Sequence, residues 1–263
     1  MIHPPRSLSR SLFQPLSRLA QQAASLVLPH QCVLCRRFAE STGLCASCWD
    51  GLAPIGAPVC RQCGLPLGHT LADPLCAACF RAPPPLSMIR AGLHYNDSSR
   101  QLILSFKHGD ALQLTPFLAA LVARDFAAMA GSMRTAHGGP LVAPVPLHHR
   151  RFFRRRYNQS AELARSLCRI TGTGIFAPDI LVRRRATRSQ GGLSRRQRHP
   201  NLAGAFAVAA DAGPRLGGRA VILVDDVMTT GATLFAAAKC LAAAGSGPVG
   251  AIILARVARP QGS

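Results

Sequence analysis

The sequence predicts an α/β protein built on a doubly wound, mostly parallel sheet, with a small cysteine-rich module ahead of it. Three observations predict this. Eight of the ten cysteines fall within residues 30–82, in four C-x-x-C pairs. From Met88 onward, short apolar runs alternate with helical patterns. One of those runs, Val221–Val224, leads straight into two adjacent acids and a loop of Thr and Gly.

Residues 1–29 carry no acid, and the apolar positions Leu12, Leu16, Leu19, Ala20, Ala23 and Val27 have helical spacing. Pro15 suits a first helical turn and Pro29 closes the segment. A helix packed on the domain behind it is the favoured reading. A basic amphipathic surface helix is the alternative, and the Arg-rich, acid-free composition also resembles an organelle transit peptide. Pro15, Gln21 and Gln22 interrupt the apolar stretch that a secretory signal needs. The cytoplasm is therefore the expected location. No apolar run approaches the roughly eighteen residues that span a bilayer, so no transmembrane helix is expected.

Residues 30–82 form the cysteine module, and Pro83, Pro84 and Pro85 read as a stiff linker to a sheet domain over 88–260. In that domain the patterns predict a strand at 88–95, helices at 98–107 and 111–130, and a strand at 141–146. A helix follows at 158–171, then strands at 179–183, 204–209 and 219–225, a helix at 232–244 and a strand at 249–257.

The net charge is +20, from 31 Lys+Arg against 11 Asp+Glu. Only Lys107 and Lys239 are lysines, and Arg is the better bidentate partner for phosphate. Such a balance points to anionic partners: phosphorylated small molecules, nucleic acid or an anionic membrane surface. A GC-rich coding bias accounts for part of the excess but not for its clustering. Between Leu147 and Pro200 there are 14 Arg against Glu162 and Asp179. One knot is Arg150, Arg151, Arg154, Arg155 and Arg156. The other is Arg183, Arg184, Arg185, Arg188, Arg195, Arg196 and Arg198. Phe152, Phe153 and Tyr157 interleave with the first, as stacking platforms do in single-strand binding proteins. Contact with phosphate or pyrophosphate, nucleic-acid tracking and a solvated basic face are all open for these knots.

The four pairs are Cys32/Cys35, Cys45/Cys48, Cys60/Cys63 and Cys76/Cys79. A two-residue gap lets one tight turn aim two thiolates at one ion, and two such turns complete a tetrahedron. Four turns suit two structural zinc sites; disulfides and iron–sulfur clusters are the alternatives. Consecutive pairing is the default, with an interleaved arrangement left open. Eight thiolates already satisfy two ions, so His30 and His69 read as loop residues. Cys168 and Cys240 sit in helical patterns as small hydrophobes. Loss of metal is expected to loosen residues 30–82 and leave the later domain folded.

The segment with most chemistry is Val224-Asp225-Asp226-Val227-Met228-Thr229-Thr230-Gly231-Ala232-Thr233. Gly permits close backbone approach, Thr hydroxyls donate, and the amino end of the helix that follows attracts an anion. The loop therefore suits a phosphate. Adjacent carboxylates would repel that phosphate, so they serve something else: ribose hydroxyls, which donate to an acceptor-only group, or a bound Mg2+. A helix cap with a chance acidic neighbour is the plainer alternative.

This segment resembles the phosphoribosyl pyrophosphate (PRPP) motif of type I phosphoribosyltransferases. The wider chain, from about Leu26 to Arg259, is similar to the ComF family, which joins a double zinc ribbon to such a domain. Supporting pieces are Tyr95, Lys107-His108-Gly109-Asp110, Pro144-Val145-Pro146-Leu147, Arg155-Arg156-Tyr157-Asn158-Gln159, and Thr187, Gln190, Leu193, Arg198, Asn201 and Phe206. Arg156 stands where the family usually carries Gly. The resemblance implies that Asp225 and Asp226 hold the ribose as catalytic residues and that Thr229 to Thr233 wrap the 5′-phosphate. It also brings Lys107, Arg155, Asn158 and Gln159 to the same PRPP site, with Mg2+ accompanying the ligand, and it places the second Arg knot in a hood over the site. Three functions follow as expectations. One is pentosyl transfer from PRPP to an acceptor the sequence does not name. Another is a non-catalytic single-stranded-DNA-binding module working with DNA-uptake machinery in natural transformation. The third is a PRPP-sensing regulator.

Overall fold

The computed structural model describes residues 31–39, 43–70, 72–108, 112–147, 157–185 and 204–257. The chain forms two compact units, Met1–Trp49 and Asp50–Ser263. The helix expected over residues 12–27 lies outside the described residues. In the first unit, Gln31 bridges Phe38, and the short helix α1 (Ala46–Asp50) starts directly after Cys45.

The second unit is organised by a parallel five-stranded sheet of order β1-β7-β6-β2-β3. Its strands are Met88–His94 (β1), Leu141–Pro144 (β2), Ile175–Phe176 (β3), Val221–Met228 (β6) and Val249–Arg256 (β7). All eight residues of β7 and the first four of β6 are buried, as an unbroken apolar strand between two helical layers requires. The helices are α2 (Ala77–Arg81), α3 (Asp97–His108), α4 (Thr115–Ser132), α5 (Gln159–Thr171), α6 (Gly213–Leu216) and α7 (Ala232–Ala243). Helices α4 and α5 pack on each other; α4 also packs on β1 and β7, and α5 on β2 and β6. The strand period of two separates the faces. Leu141, Ala143, Val221, Leu223, Ala251 and Ile253 share one cluster with Leu234, Ala237, Ala238 and Leu241 of α7. A Cβ on Gly92 or Gly250 would instead strike Val122 or the Met129 and Met133 sulfurs of the α4 side.

Several sequence expectations are corrected here. The strand expected at 219–225 runs to Met228, because β7 keeps pairing with it through Met228↔Arg256. The segments expected as sheet strands at 179–183 and 204–209 are Leu181–Arg183 (β4) and Phe206–Val208 (β5), which pair antiparallel in a sheet of their own. Strand β3 and helix α6 were not foreseen. The expectation that no apolar stretch approaches a membrane span is also corrected: Leu112–Ser132 is long and apolar enough by length and composition. In the fold, its residues Leu118, Ala119, Val122, Phe126, Met129 and Ala130 are buried.

The sheet order fixes where a ligand belongs. The chain passes from β2 through α5 outward to β3, but from β6 through α7 to β7 in the opposite direction. The β2–β6 boundary is therefore the topological switch point, and the crevice beyond its carboxyl ends is the ligand position of such sheets.

Candidate functional site

Strand β2 stops at Pro144, whose partner on β6 is Val224. Val145 still donates to the Val224 carbonyl at 2.9 Å, but Pro146 has no N–H to offer. Beyond that point β6 keeps, among the described residues, only β7 as a strand neighbour, and Asp225 and Asp226 sit on this projecting stretch. Lys107, in the last turn of α3, reaches both oxygens of Asp226 at 2.9 Å. Asp225 accepts from the Asp226 backbone N–H at 2.9 Å and from the Ser160 hydroxyl at 3.2 Å. Burial pushes the Asp225 carboxyl up to about 7; the Asp226 charge adds to this, while the Asp226 N–H, Lys107 and Ser160 oppose it.

Tyr157, Asn158 and Gln159 lead into α5 and bond to the end of α3 and to the chain just past β2. The Tyr157 hydroxyl donates to the Phe106 carbonyl at 2.7 Å, and the Gln159 amide to the Lys107 carbonyl at 3.3 Å. These bonds tie the end of α3 to the start of α5 and so hold Lys107 over Asp226. Asn158 caps α5 by accepting from the Ser160 N–H at 3.1 Å and donates to the Val145 carbonyl at 3.2 Å. Ser160 itself was missed from the sequence. Its signal was a hydroxyl in the first turn of a helix whose start faces the acidic pair.

The loop after β6 turns on Gly231, which caps α7 with φ 81°. A Cβ there would lie 2.8 Å from the Phe235 ring. The N-cap residue Gly231 offers α7 no side chain, the first turn carries no acid, and the Thr230 hydroxyl accepts from the Ala232 N–H at 3.4 Å. Asp225, Val227, Met228, Thr229, Gly231, Ala232 and Thr233 line a small open hollow at this helix end. With the N–H groups of a helix's first turn and a favourable helix dipole, such a position can hold an anion. Hydrogen bonds thus gather Lys107, Gln159, Ser160 and the acidic pair at the carboxyl end of β6, with Asn158 bonded to the chain just past β2, while Val224 is buried within the sheet; Arg155 and the rest of the first Arg knot lie outside the described residues. Of the second knot, Arg183 stacks over Phe206 at 5.3 Å, and residues 186–203, with Thr187, Gln190, Leu193, Arg198 and Asn201, lie outside as well.

The eight paired cysteines form two clusters, Cys32/Cys35/Cys45/Cys48 and Cys60/Cys63/Cys76/Cys79, each with its sulfurs within 4.8 Å of one another. Pairing is consecutive. A tetrahedron with Zn–S of about 2.3 Å has edges of about 3.8 Å. Cys35 and Cys45 stand 3.6 Å apart, and Cys63 and Cys76 3.7 Å, so both clusters fit a four-thiolate zinc site. The two are built alike. Cys32 and Cys60 each accept at their carbonyl from the residue after the second cysteine, Arg36 at 2.9 Å and Gly64 at 2.8 Å. Both of those residues are left-handed, with φ 62° and 66°. The clusters differ in burial. Cys35 is exposed, whereas all four cysteines of the second cluster are buried and belong to the sheet's own hydrophobic cluster. A Cβ at Gly64 would lie 2.5 Å from the Ile89 carbonyl of β1. His69 is exposed and joins neither cluster; Cys168 and Cys240 lie half-buried in α5 and α7.

Residues 23–81 match the double zinc ribbon domain, and residues 159–262 match the phosphoribosyl transferase domain. The DNA utilization protein YhgH of Salmonella typhi is 32% identical over 229 residues, covering 85% of this chain and 96% of that protein. Its namesake in Escherichia coli K12 is 31% identical over 229 residues, with the same coverage of 85% and 96%. Competence protein F of Haemophilus influenzae is 32% identical over 216 residues, covering 80% of this chain and 90% of the relative.

Proposed function

The chain belongs to the ComF family, and from that premise we propose that its crevice binds PRPP, in a cytoplasmic protein that serves DNA utilisation or competence. The observation that carries this is the arrangement around β6: two carboxylates on a projecting strand, followed within a few residues by a helix N-terminus that starts at a glycine, Gly231. In this reading Asp225 and Asp226 accept from the ribose hydroxyls, the 229–233 loop takes the 5′-phosphate, and Arg155 faces the pyrophosphate. Lys107 holds Asp226 oriented until the sugar takes its place. Mg2+ would enter with the pyrophosphate and offset its charge, the acidic pair and the ligand's own oxygens being suitable donors. The thiols of both clusters suit a reducing compartment.

Calorimetric titration of the full chain with PRPP in Mg2+ tests the reading, with saturable one-to-one binding as the expected result. Absence of binding at millimolar ligand removes it. Pyrophosphate release during incubation with candidate acceptors then separates pentosyl transfer from PRPP sensing.

A second reading, single-strand binding, is favoured by Phe38 and Phe80, which are 68% and 80% exposed beside the exposed Arg36, Arg37 and Arg81. Exposed rings next to guanidinium groups suit stacked bases and their phosphates. Anisotropy titrations of a labelled oligonucleotide should then show log K falling with log salt at about −0.7 per phosphate contact. Phe80→Ala should weaken binding with little change in that slope. An unchanged affinity removes Phe80 from the interface.

A further inference from the structure

Arg256, the last residue of β7, is only 3% exposed. Its Nη1 donates to the Cys63 carbonyl, its Nη2 lies 3.8 Å from the Cys63 Sγ, and its Nε has no partner. Among the described residues it forms no ion pair with a carboxylate. A guanidinium does not give up its proton in a protein, and a buried charge without a counter-charge is expensive. Both of these guanidinium contacts are to Cys63, a member of the second cysteine cluster. Four thiols are neutral, whereas four thiolates around a divalent ion carry two net negative charges.

We propose that Arg256 is the counter-charge of the second zinc site, held in the core of the phosphoribosyltransferase-like unit by a metal–thiolate dianion rather than by any acid. Arg90 is the other cation at this cluster. It donates to the Arg61 and Ile89 carbonyls at 3.0 and 2.8 Å, but it also has Asp125 near it, so its charge is shared. Among the described residues Arg256 has no carboxylate partner. The first cluster, with an exposed cysteine and a left-handed, exposed Arg36, is not buried in this way. The two metals are therefore unequal. The first is exchangeable, and the second is locked by charge and burial.

The position of Arg256 gives the lock a consequence. Arg256 pairs in register with Met228, and Val257 donates to the Met228 carbonyl at 2.9 Å. Met228 is the residue from which the 229–233 loop departs. Loss of the second metal leaves Arg256 unbalanced on β7, beside the end of β6 that carries this loop.

The test is zinc release from the full chain to a chromophoric chelator. The parent should lose its two zinc ions in two phases, with the second at least tenfold slower. Cys35→Ser should abolish the fast phase alone, which assigns it. Arg256→Met should speed the slow phase by about 10- to 100-fold, the usual effect of removing an outer-shell partner, and Arg256→Lys by less. A single release phase in the parent, or a folded Arg256→Met protein with both parental rates, would overturn the proposal. Should Arg256→Met not fold, the cobalt-substituted Arg256→Lys protein decides. Its thiolate-to-metal absorption should shift for one of the two sites, and an unshifted spectrum counts against the proposal.

Discussion

Lys107 bridges the two oxygens of Asp226 at 2.9 Å each, and the chain spends two further hydrogen bonds, from Tyr157 and Gln159, on fixing the end of the helix that delivers it. The ammonium sits on the Asp226 carboxylate, and its charge also acts on the neighbouring Asp225. Replacing Lys107 with Met should therefore lower stability by about 1–3 kcal/mol, since it strands a partly buried charge. Adding Asp226→Asn should restore most of that loss. Urea unfolding of the two single variants and the double checks this, and additive losses would show that the two residues do not interact.

The clusters predict unequal consequences of cysteine loss. Cys60 is fully buried in the same cluster as Leu223 and Ala251. Cys60→Ser should remove one zinc per chain and open β1 and β7 to hydrogen exchange. Cys35→Ser should remove one zinc and leave those strands protected. Metal analysis with exchange mass spectrometry reads both. Equal protection of the strands in the two variants would return to the simpler expectation that metal loss loosens only residues 30–82.

Much of this was legible in the sequence. The acidic pair, the Thr/Gly loop and the four C-x-x-C turns use residue types whose chemistry depends on local spacing, so the sequence carries them directly. Elements set by neighbours were harder. Whether Asp225 to Met228 remain strand is decided by pairing with Ile253 to Arg256, and nothing in the local pattern states it. β3 is two residues long and exists because Leu141 and Val142 offer it an edge. Ser160 and Arg256 acquire their roles from residues 65 and 193 positions away, which no periodicity reveals. Asn158 and Gln159 were expected to face the ligand, and what the fold shows is their work in holding helix ends together.

Gly231 is required by conformation and by space together. Its φ of 81° is strained for any side chain, and a Cβ would press on the Phe235 ring at 2.8 Å. Gly231→Ala should destabilise by about 1–3 kcal/mol and weaken PRPP binding by more than the stability loss explains, because the loop itself must shift. Thermal melts beside ligand titration check it. An alanine variant that binds like the parent would place the anion away from this helix end.

Asp225 links stability, pH and binding with opposite signs. Its carboxyl titrates at about 7 in the fold against an ordinary value of 3.8. The unfolded chain therefore releases this proton first. The group costs nothing at pH values below the unfolded value, costs progressively more as pH rises through the interval, and reaches its full cost above about 7. Asp225→Asn removes that dependence. The stability of the Asn variant relative to the parent should rise by about 1–2 kcal/mol between about pH 5.5 and pH 8. Ligand binding should move the other way. Only the ionised carboxylate accepts from two ribose hydroxyls, so PRPP affinity of the parent should strengthen as pH rises through about 7. Charge-assisted hydrogen bonds are worth roughly 1.5–3 kcal/mol, so Asp225→Asn should lose about ten- to a hundredfold in affinity at pH 8 and flatten the pH profile. The further change Asp226→Asn should bring binding near zero without unfolding the chain. Calorimetric titration and thermal melts on the same samples decide the matter. A structural acid would lower the melting temperature and spare the ligand. An acid poised for a sugar raises the melting temperature when it is removed and takes binding with it.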